Sequence, residues 1–312
     1  MEIDVEKKIC LYKSSPYIYR ENMQLVEYNE KSNVSTSEIT KFLAKKLIGP
    51  LDMAILDALY VYKILNRHIL ELYLSYTVPK YKDKDLKNTL KKLVGLGMLI
   101  RYAYEYDEEG EAKKTPYFYA LSLGSFKYVQ RFTKHESCDE YMVMDTDTAY
   151  KFLAVNQFHV FFLKDYKDKV IKDILHKNIA VGKENITLDA SFRLKTKKLE
   201  NKYVDIVVIP VRQNEEWKNE LVSKILLLEE YTEKQYSYSP IFIFLAESDK
   251  HIKDIDLVIK ENKIDSRGKI RLYTTDLQVA REPICNYLYE CLPEKEGNST
   301  GNVILAVRKL LL

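Results

Sequence analysis

The chain has 312 residues, 46% of them hydrophobic and 30% charged, with a formal net charge of only +3. That length suits two domains, because single cores stop growing near ~250–300 residues. So small a charge excess excludes a uniformly basic nucleic-acid coat, and any affinity for a polyanion must come from local clustering.

Residues 1–34 read as an N-terminal extension, with a candidate strand at Lys7 to Ser14 and a polar loop from Tyr28 to Ser35. Ser35 followed by Glu38 is a capping-box pattern that opens a helix through Ile48. Gly49-Pro50 stops that helix and opens the next, expected from about Leu51 to Leu65 with Ile55, Leu56, Leu59 and Tyr62 on one face. A shorter helix is expected from Arg67 to Tyr76, then a turn at Thr77-Val78-Pro79, then a helix from Asp83 to Leu96 closed by Gly97. Met98 to Tyr106 and Pro116 to Leu123 read as strands on either side of a turn around Gly110. Three short-linked helices followed by a β-hairpin form the winged helix-turn-helix pattern, here assigned to residues 35–133.

From Ser125 to about Lys177 the pattern is helical, with a polar hinge at Lys134 to Asp145, so residues 134–180 are expected to form a helical linker. Residues 181–312 change character. Strands Ile186–Leu194 and Tyr203–Val211, helix Glu215–Thr232, strand Pro240–Ala246, helix Lys250–Glu261, strand Ile270–Thr274 and helix Leu277–Leu292 follow in order. The expected class is therefore α+β, a winged helix followed by an α/β domain, with Val303 to Leu312 a final helix or edge strand.

The helix after Pro79 carries the clearest chemistry. At about 100° per residue, Leu86, Leu90, Leu93, Val94 and Gly97 share one face, and Lys84, Lys87, Asn88 and Lys91 share the other, with Lys92 at its margin. Between Lys80 and Arg101 there are seven basic residues and two acidic ones. Such a cluster meets phosphates, and Asn88 has the amide that pairs bidentately with an adenine edge. The hairpin adds Lys113 and Lys114 on its return side, while Asp107, Glu108, Glu109 and Glu111 make its tip repel phosphate. Candidate DNA-binding residues are thus Lys84, Lys87, Asn88, Lys91, Lys92, Arg101, Lys113 and Lys114. Any one Lys-rich helix is more often just a solvated face; the order of elements around this one favours the binding reading.

The whole order resembles the plasmid replication-relaxation family of low-GC bacteria, over roughly Asp52 to Thr275 and on element order rather than sharp motifs. The resemblance implies a winged helix ahead of a restriction-endonuclease-like, PD-(D/E)xK domain, acting on double-stranded DNA of a plasmid or mobile element in replication, transfer or transcription control. A nuclease of this kind needs an Asp on one strand and a D/E-x-K set on the next to hold Mg²⁺ and orient water. Asp189, in ITLDASF, occupies the first position, but the next strand offers Ile209-Pro210-Val211-Arg212, where only Arg212 stands in for the lysine. Asp205 lies earlier on that strand, and Glu220 and Lys224 lie on the following helix. Asp189, Arg212 and Lys224 are therefore read as vestigial nuclease positions, and no metal or other cofactor is expected.

Other chemistries lack their signatures. The four cysteines, Cys10, Cys138, Cys285 and Cys291, form no CxxC or zinc spacing and read as free thiols. The five histidines form no HExxH, and the nine glycines build neither a Walker loop nor GxGxxG. No segment reaches the ~18–20 apolar residues of a membrane helix, and MEIDVEKKIC has no signal-peptide core, so a cytoplasmic location without a membrane partner is expected. The leading reading is a non-catalytic duplex-DNA-binding protein, with a homodimer partner or replication and transfer proteins recruited by the second domain. A Mg²⁺-dependent endonuclease with a migrated site and a protein-interaction scaffold without DNA binding are the alternatives.

Overall fold

A computed structural model describes residues 17–20, 22–29, 31, 33–79, 81–132, 141, 144–195, 203–236, 238–264, 269–281, 284, 288–293 and 303–308. The architecture is mixed α and β, and the chain divides into two compact units within a helix, between Asn156 and Gln157, with the described residues 17–19 belonging to the second unit. Among the described residues, no helix is long and apolar enough to cross a membrane.

In the first unit, strand β1 (Gln24–Glu27) precedes helices α1 (Thr36–Ala44) and α2 (Pro50–Tyr62). Then come β2 (Ile64–Asn66), α3 (Arg67–Thr77), α4 (Asp83–Gly95), β3 (Leu99–Glu108), β4 (Glu111–Lys114) and β5 (Phe118–Leu121). Helix α5 (Leu123–Phe132) follows, then the first half of α6 (Thr146–Tyr166). Ser35 caps α1 as its spacing predicts: its hydroxyl accepts from the Glu38 amide and the Glu38 carboxylate accepts from the Ser35 amide. The Ser35 amide, with its hydroxyl and Lys31, holds the Glu38 carboxyl down to about 2. Helix α1 ends four residues short of the expected Ile48, because Lys46 turns left-handed at φ 56°. Helix α2 ends at Tyr62 rather than Leu65, and after Lys63 the residues Ile64–Asn66 form β2, which pairs antiparallel with β5. The strand order β1-β3-β5-β2 brings part of the expected N-terminal extension into the sheet, since β1 pairs with β3.

The second unit holds one seven-stranded sheet in the order β12-β11-β10-β9-β8-β7-β6. Its elements are the second half of α6, β6 (Val170–Val181), β7 (Glu184–Lys195), β8 (Tyr203–Pro210), α7 (Trp217–Gln235) and β9 (Ile241–Ala246), followed by α8 (Asp249–Glu261), β10 (Ile270–Thr275), α9 (Asp276–Arg281), β11 (Leu288–Pro293) and β12 (Val303–Arg308). Strands β8, β9 and β10 are parallel, so each needs a crossover, supplied by α7 and α8. Those two helices bury Leu221, Ile225, Leu228, Ile252, Ile255 and Val258 against Val207, Ile209, Phe242, Phe244 and Tyr273. On the other face, Phe158 and Phe162 of α6 pack on the Phe192 ring of β7.

Two expected helices are strands. Residues 170–177, expected to continue a helical linker, form the first arm of a hairpin with β7, turning at Gly182 with φ 62°. The domain boundary expected at 180/181 therefore falls inside that hairpin, and the β-branched residues Val170, Ile171, Ile174, Ile179 and Val181 suit the pleated sheet. The helix expected over 277–292 stops at Arg281, and Leu288 to Pro293 form a strand that pairs with β10 and β12 instead. Val303–Arg308 is an edge strand. The strand expected at Lys7 to Ser14, and Cys10, Cys138 and Cys285, lie outside the described residues, while Cys291 is a free thiol that burial, the nearest cause, pushes up to about 12.

Candidate nucleic-acid interface

Helix α4 is amphipathic in the sense its sequence predicts. Leu86, Leu90 and Leu93 are at most 1% exposed, while Lys87, Asn88 and Lys91 lie on the exposed side. Gly97 ends the segment at φ 72°, and a Cβ there would come within 2.8 Å of the Asn33 carbonyl oxygen, so the position requires glycine. Lys84 lies in α4, but its side chain falls outside the described residues.

Lys92 is engaged within the fold. Its ammonium donates to the Asp52 carboxylate at 2.7 Å and to the Leu47 carbonyl at 3.1 Å, and Asp52 also accepts from the Gly49 amide at 2.7 Å. Arg101 is anchored too: Nε and Nη2 both donate to the Tyr28 carbonyl, at 3.2 and 2.8 Å, and the guanidinium lies 4.5 Å from the Tyr117 ring centre.

The hairpin β3–β4 turns at Glu109-Gly110, both with positive φ, the form that matches strand twist. Its acidic tip is partly neutralised from within, because Glu108 takes Lys113 at 2.6 Å and Arg20 at 2.8 Å. Those two cations hold the Glu108 carboxyl below the usual range. Lys114 donates to the Tyr117 hydroxyl at 3.2 Å and lies over the Tyr28 and Tyr117 rings. The Tyr28 hydroxyl donates to Glu105, which pushes its pKa up to about 12. The structure thus brings Lys87, Asn88 and Lys91 together as an exposed strip, and ties Lys92, Arg101, Lys113 and Lys114 to partners of their own.

The positions of the second unit that the sequence marks as vestigial nuclease residues are likewise paired. Asp189 on β7 is 2% exposed, and its carboxylate meets the Lys224 ammonium of α7 at 2.5 Å. Asp205 forms a two-point pair with Arg193 at 2.8 and 3.1 Å. The register sets Arg193 opposite Asp205. Asp189 lies four residues further along the same strand face, roughly 13 Å away at ~3.3 Å per residue. Mg²⁺ holds its oxygens at ~2.1 Å, so these two carboxylates cannot share one ion. Among the described residues, no group of three or more His, Cys, Asp or Glu is placed to hold a metal.

Arg212 does not reach Asp189's partner position but turns to Asp276, at the start of α9, through bonds of 3.1 and 2.8 Å. Both side chains are at most 2% exposed. Beside this pair, at the end of β9, the Glu247 carboxylate accepts from the Tyr19 and Gln213 amides, and burial raises its pKa. His251 is fully buried; its Nδ1 accepts from the Glu247 amide, and the half-buried Trp217 ring meets it edge-on at 5.0 Å. Burial, then the Arg212 charge, lowers the His251 pKa to about 3. Sequence reasoning missed this cluster. Arg212 and Asp276 are 64 residues apart, and only the parallel strand order makes them neighbours.

No family model matches this chain, and no curated protein or solved structure does either.

Proposed function

We propose that this is a non-catalytic, double-stranded DNA-binding protein whose first unit is a winged helix and whose second is a nuclease-like α/β scaffold. The observation that carries the reading is α4: its leucines face inward and Lys87, Asn88 and Lys91 face solvent. The surrounding order supports it. Helix α2, strand β2, helices α3 and α4, then the β3–β4 hairpin and β5 follow the succession in which winged domains place their groove-reading helix last before the wing. Lys87 and Lys91 are one helical turn apart, about 6 Å, and take phosphates, while Asn88 between them faces a base edge.

In the second unit, support for an inactive scaffold comes from pairing. Asp189 is neutralised by Lys224, Asp205 by Arg193, and Arg212 by Asp276. A plasmid or mobile-element setting is what the family resemblance implies.

The test measures duplex affinity by fluorescence anisotropy across a salt series. Lys87→Ala/Lys91→Ala should weaken binding and flatten the slope of log K against log salt by about 0.9 per lost phosphate contact, about 2 in all. An unchanged slope rejects α4 as the DNA element. Supercoiled plasmid incubated with Mg²⁺ or Mn²⁺ should remain uncut; cleavage that disappears in Asp189→Ala would favour the endonuclease reading.

A further inference from the structure

We propose a second duplex contact beside α4: the corner where α1 ends, in which Lys41, Lys45 and Lys46 meet phosphates of the DNA that α4 reads. This rests on the DNA-binding reading of α4 and enlarges its footprint.

Three observations place and charge the corner. First, the Lys92 ammonium of α4 donates to the Leu47 carbonyl at 3.1 Å, so the chain just after Lys46 lies against the C-terminal half of α4. Second, Lys41, Lys45 and Lys46 are all exposed, and none has a side-chain partner among the described residues. The carboxylates nearby are already committed, Glu38 to Lys31 and the Ser35 amide, and Asp52 to Lys92 and the Gly49 amide. Third, Lys46 occupies a backbone position that favours glycine. Its amide donates to the Leu43 carbonyl and the Leu47 amide to the Phe42 carbonyl, the paired bonds that close a helix through a left-handed residue. Lys46 adopts that conformation at φ 56°, where a side chain strains the backbone and glycine does not.

Cations in a last helical turn also suit the helix dipole, which accounts for Lys41 and Lys45 without DNA. That account leaves the strained Lys46 unexplained. A duplex carries one charge per ~1.7 Å of axis, so three ammoniums on adjoining turns each find a phosphate within reach.

The experiment uses the full chain, a labelled mixed-sequence duplex and a salt series. Lys41→Gln/Lys45→Gln/Lys46→Gly should lower the log–log slope by about 2–3, near 0.9 per lost contact. Lys46→Gly alone should lower it by about 1 while its melting temperature holds or rises, because the substitution relieves the left-handed lysine. A purely structural lysine would give the reverse, an unchanged slope with a lowered melting temperature. If the triple variant keeps the wild-type slope while Lys87→Ala/Lys91→Ala lowers it, the corner is refuted and α4 stands. If neither variant changes the slope, the DNA-binding reading falls and this inference falls with it. Should the triple variant melt early, Lys41→Gln/Lys45→Gln, at exposed positions only, decides by the same slope.

Discussion

Replacing Arg212 with Met should destabilise the second unit more than any surface change, and the reason lies in what it leaves behind. The guanidinium and the Asp276 carboxylate are 2% and 0% exposed and share two short bonds. Removing one member of a buried pair strands the other's charge, which costs about 3–5 kcal/mol. Removing both for apolar groups of similar volume costs far less. With a urea dependence of ~2 kcal/mol per molar, Arg212→Met should shift the unfolding midpoint down by roughly 2 M, and Arg212→Met/Asp276→Leu should recover most of that. Trp217 is the single tryptophan and lies on α7, so its fluorescence reports this unit alone. A midpoint shift under about 0.5 M, or a double variant as unstable as the sum of its singles, would refute the reasoning.

Three further outcomes follow from packing and titration. His251 has a folded pKa of about 3 against an ordinary 6.5, so its neutral form is fully compatible with the fold above pH ~6.5 and stability falls by up to ~1.4 kcal/mol per unit below it. At pH ~5 that amounts to about 2 kcal/mol, and urea melts of His251→Gln at the two pH values should show a correspondingly shallower loss; an identical loss removes His251 as the cause. A Cβ at Gly124 would stand 1.6 Å from the Val34 carbonyl oxygen, so Gly124→Ala should cost about 1–3 kcal/mol and lower the first unit's calorimetric transition by several degrees, and a silent substitution would contradict that close approach. Asp189→Asn should destabilise the second unit by ~3 kcal/mol through the stranded Lys224, with duplex affinity unchanged; a loss of affinity at constant stability would bring Asp189 into DNA binding instead.

Local signals were readable from the sequence, and long-range ones were not. The Ser35–Glu38 cap, the Leu86, Leu90 and Leu93 stripe and the Gly97 stop depend on residues within a few positions, and each appears in the structure where its spacing predicts. The residues from Val170 to Lys177 read as a continuation of the helical pattern before them; their pairing with β7 makes them a strand instead. Likewise Leu288 to Pro293 is decided by β10 and β12 rather than by its own preference. At the α4 strip, side-chain type and period sufficed to mark Lys87, Asn88 and Lys91. They did not show that Lys92 and Arg101 are held by Asp52 and the Tyr28 carbonyl, since those partners are 40 and 73 residues away in the chain. Nor did they reveal the corner lysines, whose closeness to α4 depends on the Leu47 carbonyl.

The strand order of the second unit also dictates the timing of its assembly. The β6–β7 hairpin joins neighbours across a two-residue turn and can zip within ~1–10 μs. Strand β8 must instead wait for β9, because Ile206 lies beside Ile241 only after α7 has crossed the sheet. During synthesis at ~5–20 residues per second, the apolar run Ile206 to Ile209 therefore spends seconds with its β9 side open, an interval in which a nascent chain is most open to chaperones and to other unfinished copies.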